Sequence, residues 1–266
     1  MSGPGEFWKP LSITLVALGV ALAPAGAAAE PALNTLYSFD PLSGDGRGPR
    51  GPLAFDKSGA LYGTTAGGGA HGVGTVFKLT PPADPSAPWT ERILYSFTGG
   101  PDGSLPQDVI FDNAGNLYGT AYFGGNSAAA GCSSGRCGTV FQGIPPADPD
   151  GPWGGTLLWS FTGGPDGGNP GELMLDDATG VLYGTTELDG LLNEYCALGC
   201  GTVFKLTPPP TADAPWTYSV IWRFTGLDDG GNPGGARLVM DASGALYGTT
   251  SAGGASLWGN VFQLTP

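Results

Sequence analysis

The chain has 266 residues, of which 49 are glycine and 25 proline, and only 12% are charged. Glycine and proline at this level without a period signal a chain that stays disordered. Here 41% of residues are hydrophobic and 11% aromatic, and the glycines recur on a period, so the composition is that of a folded repeat. Ten basic against 23 acidic residues leave a net charge of −13, which repels phosphate backbones and anionic lipid and argues against nucleic-acid binding.

The first segment reads as an export signal. Lys9 precedes an apolar run from Leu11 to Ala23, and Ala27-Ala28-Ala29 offers a small-residue cleavage site. The run is shorter than the ~20 residues that a membrane span needs. The expectation is a signal peptide over residues 1–29, then a single exported domain over 30–266 with no membrane insertion after its removal.

Four copies of one motif follow. Leu61-Tyr62-Gly63-Thr64 returns at Leu117–Thr120, Leu182–Thr185 and Leu246–Thr249, with the tyrosines 56, 65 and 64 residues apart. Each copy is followed by a second run: Gly74-Thr75-Val76-Phe77, Gly138-Thr139-Val140-Phe141, Gly201-Thr202-Val203-Phe204 and Gly259-Asn260-Val261-Phe262. Proline-rich linkers lead to Trp89, Trp153 and Trp216, and then to a third run: Leu94-Tyr95-Ser96-Phe97, Leu158-Trp159-Ser160-Phe161 and Ile221-Trp222-Arg223-Phe224. Leu36-Tyr37-Ser38-Phe39 is of this last kind. With a short apolar run before each Leu-Tyr-Gly-Thr, every repeat holds four strand-like segments, a to d, separated by Gly/Pro/Asp turns. The a–b turns read Asp56-Lys57-Ser58-Gly59, Asp112-Asn113-Ala114-Gly115, Asp177-Ala178-Thr179-Gly180 and Asp241-Ala242-Ser243-Gly244. No stretch of the mature chain has a helical period.

Tandem four-stranded antiparallel units predict an all-β fold, a β-propeller of four blades over about 52–97, 106–161, 170–224 and 235–264. The last blade lacks a d strand. Residues 33–39 match one, so Asn34–Phe39 is expected to pair with Gly259–Leu264 and close the ring. The alternative is an open arc or a fragment of a larger propeller, because these repeats exceed the ~40–50 residues of familiar blades.

The motifs Asn116-Leu117-Tyr118-Gly119-Thr120, Gly124-Gly125 and Gly138-Thr139-Val140-Phe141, preceded by Leu94–Gly100, resemble the Gloeo/Verruco tandem repeat, also called the choice-of-anchor tandem repeat. The resemblance covers nearly all of residues 33–266. It implies an exported bacterial protein, often displayed by a C-terminal sorting anchor, and carries no enzymatic activity with it. This sequence departs from that pattern by showing no anchor before Thr265-Pro266, which leaves secretion or periplasmic residence as the expectation.

All four cysteines fall in b–c loops. The expected bridges are local, Cys132–Cys137 and Cys196–Cys200; a four-thiolate zinc site is the lesser alternative. His71, in Gly67–Gly72, has no counterpart in the other repeats and reads as an exposed loop residue, not as part of a triad. The d–a turns place Asp45, Asp102, Asp166 and Asp229 at equivalent positions. A ring of four carboxylates is a weak calcium candidate; Asp-Gly turn chemistry is the simpler reading. The b–c loops vary while the strands do not, and Tyr122, Phe123, Tyr195 and Trp258 add aromatic contacts there. The leading expectation is a binding or display module for a glycan, polymer or protein, using the b–c and d–a loop face, with no catalytic residues assigned. A metal-dependent lactonase-like hydrolase and a purely structural envelope component are the alternatives.

Overall fold

Four antiparallel sheets follow one another along the chain in the computed structural model, which describes residues 32–125, 137–148, 151–211, 214–235 and 237–265. The first sheet runs β1 (Gly46–Phe55), β2 (Leu61–Gly68), β3 (Thr75–Thr80), β4 (Thr90–Ser96), paired in that order. The second repeats it with β5 (Ser104–Phe111), β6 (Leu117–Phe123), β7 (Thr139–Ile144) and β8 (Gly154–Ser160). In the third, the first strand is broken into β9 (Gly168–Pro170) and β10 (Met174–Asp176), both paired with β11 (Val181–Leu188), which continues to β12 (Thr202–Thr207) and β13 (Thr217–Arg223). The fourth holds β14 (Val239–Met240), β15 (Leu246–Thr249) and β16 (Val261–Leu264). The described residues from Leu36 onward form one compact unit. The expected signal peptide lies outside the described residues.

The Leu-Tyr-Gly-Thr motif is explained residue by residue. The leucines, Leu61, Leu117, Leu182 and Leu246, are buried on one side of each sheet. The tyrosine hydroxyl donates to the turn aspartate before it: Tyr62 to Asp56 at 3.1 Å, Tyr118 to Asp112 at 3.1 Å and Tyr247 to Asp241 at 2.8 Å. Glycine is required because the phenylalanine of the next strand lies directly over it. A Cβ on Gly63, Gly119, Gly184 or Gly248 would stand 2.5–2.7 Å from the ring Cζ of Phe77, Phe141, Phe204 or Phe262. The threonine hydroxyl reaches the following sheet: Thr64 to the Gln107 carbonyl (3.3 Å), Thr120 to Gly171 (2.8 Å) and Thr185 to Pro233 (3.1 Å).

Burial between successive sheets is the core. Tyr62, Val76 and Phe97 of the first sheet meet Val109, Leu117 and Ala121 of the second. Tyr118, Val140 and Phe161 meet Leu173, Leu182 and Phe204. Val203 and Phe224 meet Leu238 and Phe262. Each fully buried side chain of this size contributes about 1.5–3 kcal/mol. The phenylalanine closing each d segment packs edge-on against the c-strand phenylalanine of the next sheet: Phe97–Phe141 at 5.2 Å, Phe161–Phe204 at 5.4 Å and Phe224–Phe262 at 5.2 Å. The linker tryptophans reach backwards, Trp153 to Tyr62 and Trp216 to Tyr118.

Two expectations are corrected here. The third a–b turn starts one residue earlier than read: Asp176, not Asp177, accepts from the Ala178 amide and the Thr179 hydroxyl. The N-terminal segment does not close the last sheet either. Leu36–Phe39 forms no strand, and β16 pairs only with β15 among the described residues. Val261 in β16 is 81% exposed. Tyr37 and Phe39 nevertheless make the forward contacts of a d segment, to the first sheet. Phe39 packs on Phe77 at 5.0 Å, as the other d-type phenylalanines pack on the sheet that follows them, and the Tyr37 hydroxyl donates to Asp45 at 2.7 Å. The segment makes its forward contact without forming a strand of its own.

Candidate functional site

The b–c loops and d–a turns do lie at the same end of the sheets. Their backbones are tied in one repeated bond: Gly69 N to Asp45 O, Gly125 N to Gly100 O, Gly190 N to Gly164 O and Gly254 N to Leu227 O, at 2.6–3.0 Å. Within this face the four turn aspartates are spent locally. Asp102, Asp166 and Asp229 each accept from the amide and hydroxyl of the threonine four residues earlier (Thr98, Thr162 and Thr225). Asp45 is buried and accepts from Tyr37 and the Asp40 amide. Tyr95 and the Trp222 indole add donors to Asp102 and Asp229. No group of three or more His, Cys, Asp or Glu that could hold a metal ion occurs among the described residues. The four carboxylates thus cap four separate turns.

The predicted aromatic residues separate into two kinds. Tyr122 and Phe123 pack edge-on at 4.8 Å and are half-buried; the Tyr122 hydroxyl donates to the Glu187 carboxylate of the next sheet. Tyr195 and Trp258 are exposed, at 57% and 90%. Tyr195 is on the b–c loop of the third sheet and Trp258 on that of the fourth, and Leu192, Leu198, Leu227 and Leu257 of these loops and the turn between them are also exposed. The Tyr195 loop lies so close to Gly226 that a Cβ there would stand 3.1 Å from the Tyr195 Cβ.

This loop is fastened in place. Cys196 and Cys200 are joined in a disulfide, as expected. Cys137 is also disulfide-bonded, and its expected partner Cys132 lies outside the described residues. Asn193, which sequence reasoning missed, accepts from the Tyr195 and Cys196 amides and donates to the Thr225 carbonyl at 2.8 Å. His71 is exposed in its glycine loop.

A second set of polar residues sits on the first strands of three sheets. Asp108 is fully buried; one oxygen accepts from the Leu173 amide (3.2 Å) and from Arg237 (3.1 Å). Its other oxygen has no partner among the described residues. Arg237 also lies 3.8 Å from Glu172. Burial pushes the Asp108 carboxyl up to about 7, although the Arg237 cation pulls it down. Asn169 and Asn232 hold equivalent left-handed positions (φ 57° and 53°) and cross to the preceding sheet, to the Tyr122 and Glu187 carbonyls at 3.0 and 2.9 Å. The asparagines carry a sequence signal, the Asn-Pro pair that recurs at Asn169-Pro170 and Asn232-Pro233, whereas Asp108, Glu172 and Arg237 differ between repeats. A third feature is an apolar cavity of about 320 Å³ between the first and second sheets, lined by Tyr95, Phe97, Leu117, Phe141 and Trp153.

Residues 22–194 match the model of the Gloeobacter/Verrucomicrobia repeat. The chain belongs to that repeat family. A comparison with curated protein sequences found no match. Among solved structures, a Carbohydrate-Active Enzymes Family AA12 protein of Trichoderma reesei is similar over 81% of this chain and 47% of its own, at 13% identity and TM-score 0.48. A gluconolactonase of Xanthomonas campestris is similar over 80% of this chain and 61% of its own, at 16% identity and TM-score 0.41. The chain therefore spans about half to three fifths of these proteins, and at such scores neither carries an activity over to it.

Proposed function

We propose that this protein is an exported, propeller-like binding module whose loop face engages a polymer, foremost a glycan, through the Tyr195–Trp258 surface. One observation carries the reading: Tyr195 stands exposed on a loop that the Cys196–Cys200 disulfide and the Asn193 bonds fasten, and Trp258 stands exposed on the equivalent loop of the next sheet. A contiguous apolar patch rimmed by polar loops is the usual mark of an interaction site. Flat aromatic side chains fixed in orientation suit the apolar faces of sugar rings, and a preordered loop keeps the entropic cost of binding low. Repeat-family membership and the disulfide both suit an oxidising compartment outside the cytoplasm.

The reading favours binding over catalysis because the recurring carboxylates are consumed as turn caps, and His71 stands alone in an exposed loop. The test is a binding screen of the secreted protein against polysaccharides, read by affinity electrophoresis. Trp258→Ala and Tyr195→Ala should each weaken retention at least tenfold with Tm unchanged, since both side chains are exposed. Retention unaffected by both changes would refute the loop-face assignment, and lactone turnover by the purified protein would refute a purely binding role. Mass spectrometry of the secreted chain should find a first residue near Glu30; an intact Met1 would refute export by cleavage.

A further inference from the structure

The cavity between the first and second sheets has an internal template one junction further along. Between the second and third sheets the same place is filled by Tyr218 of β13. Its ring stacks on Trp159 (4.3 Å, 7° between planes), lies against Phe204 (5.5 Å, 28°), and meets Phe161 edge-on (5.8 Å, 88°). Its hydroxyl donates to the Asp166 carbonyl at 2.5 Å. Each of those four partners has a counterpart one repeat earlier: Tyr95 for Trp159, Phe141 for Phe204, Phe97 for Phe161 and Asp102 for Asp166. All four counterparts line the cavity.

The residue that would fill it is missing for a simple reason. Tyr218 pairs with Leu206 on β12, and the equivalent pair on β7 and β8 is Gly143 with Gly155. Gly155 has ordinary φ, and a Cβ placed on it would meet nothing within 4 Å. Glycine is therefore not required there by the backbone or by crowding, unlike Gly184 of the motif. In β4 the same register position, opposite Leu79, is Glu91. The slot position thus reads Glu91, Gly155 and Tyr218 through the three sheets, and only glycine leaves an aromatic-walled space.

The geometry points to this slot as a binding site for a phenolic ring, held as Tyr218 is held at the next junction. Tyr95 supplies the stacking face, Phe97 and Phe141 the walls, and the Asp102 carbonyl the acceptor for the hydroxyl. That carbonyl already accepts from Thr139 at 3.0 Å and keeps a second lone pair. The volume of about 320 Å³ is at the small end of ligand pockets and suits a group of one or two rings. Stacked and edge-on aromatic contacts select a flat ring over an aliphatic one of equal size. The site is separate from the loop surface of the third and fourth sheets, so neither assignment depends on the other.

The probe is 4-methylphenol, the side chain of tyrosine as a free molecule, titrated into the full chain and followed by proton NMR and Trp153 fluorescence. Saturable binding at one site is expected, at least tenfold tighter than 4-methylcyclohexanol. Gly155→Tyr, which supplies the missing ring in cis, should abolish it and raise Tm. Tyr218→Gly, where it folds, should bind a second equivalent. A free phenol and a tyrosyl side chain of a partner share this chemistry, and a Gly-Tyr-Gly peptide separates them: binding as tight as 4-methylphenol assigns the site to a partner's tyrosine, and weaker binding to a free phenol. Absence of saturable binding to the native chain, equal affinity for the aliphatic alcohol, or undiminished binding to a folded Gly155→Tyr would each overturn the proposal.

Discussion

Replacing Gly184 by alanine tests the explanation of the repeat motif most directly. The new Cβ would stand 2.6 Å from Phe204 Cζ, 2.9 Å from its Cε1 and 3.2 Å from Leu173 Cδ2. Both neighbours are fully buried, so neither can swing aside without disturbing the junction between the second and third sheets. Overpacking of this kind costs about 1–3 kcal/mol. The loss of glycine's freedom in the unfolded chain returns about 0.4–1 kcal/mol. Taken at their midpoints these give a net destabilisation of about 1.3 kcal/mol, or a fall in Tm of about 3–5 °C for a domain of this size. Gly155→Ala is the matched control: it also lies in a strand, but it has open space and should leave Tm unchanged or slightly raised. The assay is urea unfolding of both variants, and of Gly184→Ala combined with Phe204→Leu. The cycle should show a favourable coupling of more than 0.5 kcal/mol, because the smaller side chain relieves the clash. If Gly184→Ala unfolds with the native chain, or costs as much with Phe204 shortened, glycine is at that position for another reason.

Two further outcomes follow from the inner residues. Burial raises Asp108 and Glu91 to about 7 and, with the nearby Asp166 charge, Asp189 to about 6. A carboxyl whose folded value is raised favours the protonated chain, so this stabilisation is complete below about pH 4 and is lost as pH rises to about 7. Turn aspartates act oppositely: hydrogen bonds from Ser243 and Tyr247 hold Asp241 at about 2, and that contribution is lost as pH falls from about 4 to 2. Tm measured against pH should peak at about 4, and Asp108→Asn should flatten the slope between about 4 and 7; an unchanged slope would show that Asp108 does not titrate there. Asn169→Ala removes a bond to the Tyr122 carbonyl and leaves a residue that resists φ near 57°. An unmet buried acceptor costs about 1–3 kcal/mol and the left-handed conformation about 1–2. A loss of about 2–5 kcal/mol in urea unfolding is expected, and Asn169→Gly should recover the backbone share alone.

The strands were legible because a four-fold repeat shows its own boundaries: Leu-Tyr-Gly-Thr and Thr-Val-Phe mark β2 and β3, β6 and β7, β11 and β12 in turn. The d–a aspartates were legible as turn residues for the same reason. Asp176 was misplaced by one residue because Asp176-Asp177 offers two carboxylates and only the backbone decides which one caps. Ring closure was misjudged because a sequence match specifies which contacts a segment can make, not which one it keeps. The other d segments both pack forward and pair with their own c strands; Tyr37-Ser38-Phe39 makes the forward contacts, to Phe77 and Asp45, and not the pairing. The Asp108–Arg237–Glu172 group was not legible, because its members come from three repeats and share no motif.

The division between recurring and varying positions also orders where chemistry can reside. In most recurring polar residues the hydrogen-bonding capacity is already committed: Tyr62, Tyr118 and Tyr247 to the turn, Thr64, Thr120 and Thr185 to the next sheet, the d–a aspartates to their own loops. Removing any of these from its partner would cost about 1–3 kcal/mol per unmet group before a ligand gained anything. A ligand is therefore met most cheaply by groups without such commitments, and these occur where the repeats differ. Trp258 and Tyr195 stand in solvent on loops of unequal length, and Gly155 replaces the ring that Tyr218 provides one repeat later. Asp108 differs between repeats as well, yet its bonds to Arg237 and Leu173 bind three sheets together, and burial leaves only Arg237 and Glu172 partly open to solvent. Variation alone does not mark a site; variation together with an uncommitted surface does, and by that criterion the loop aromatics and the empty ring slot stand ahead of the buried carboxylate.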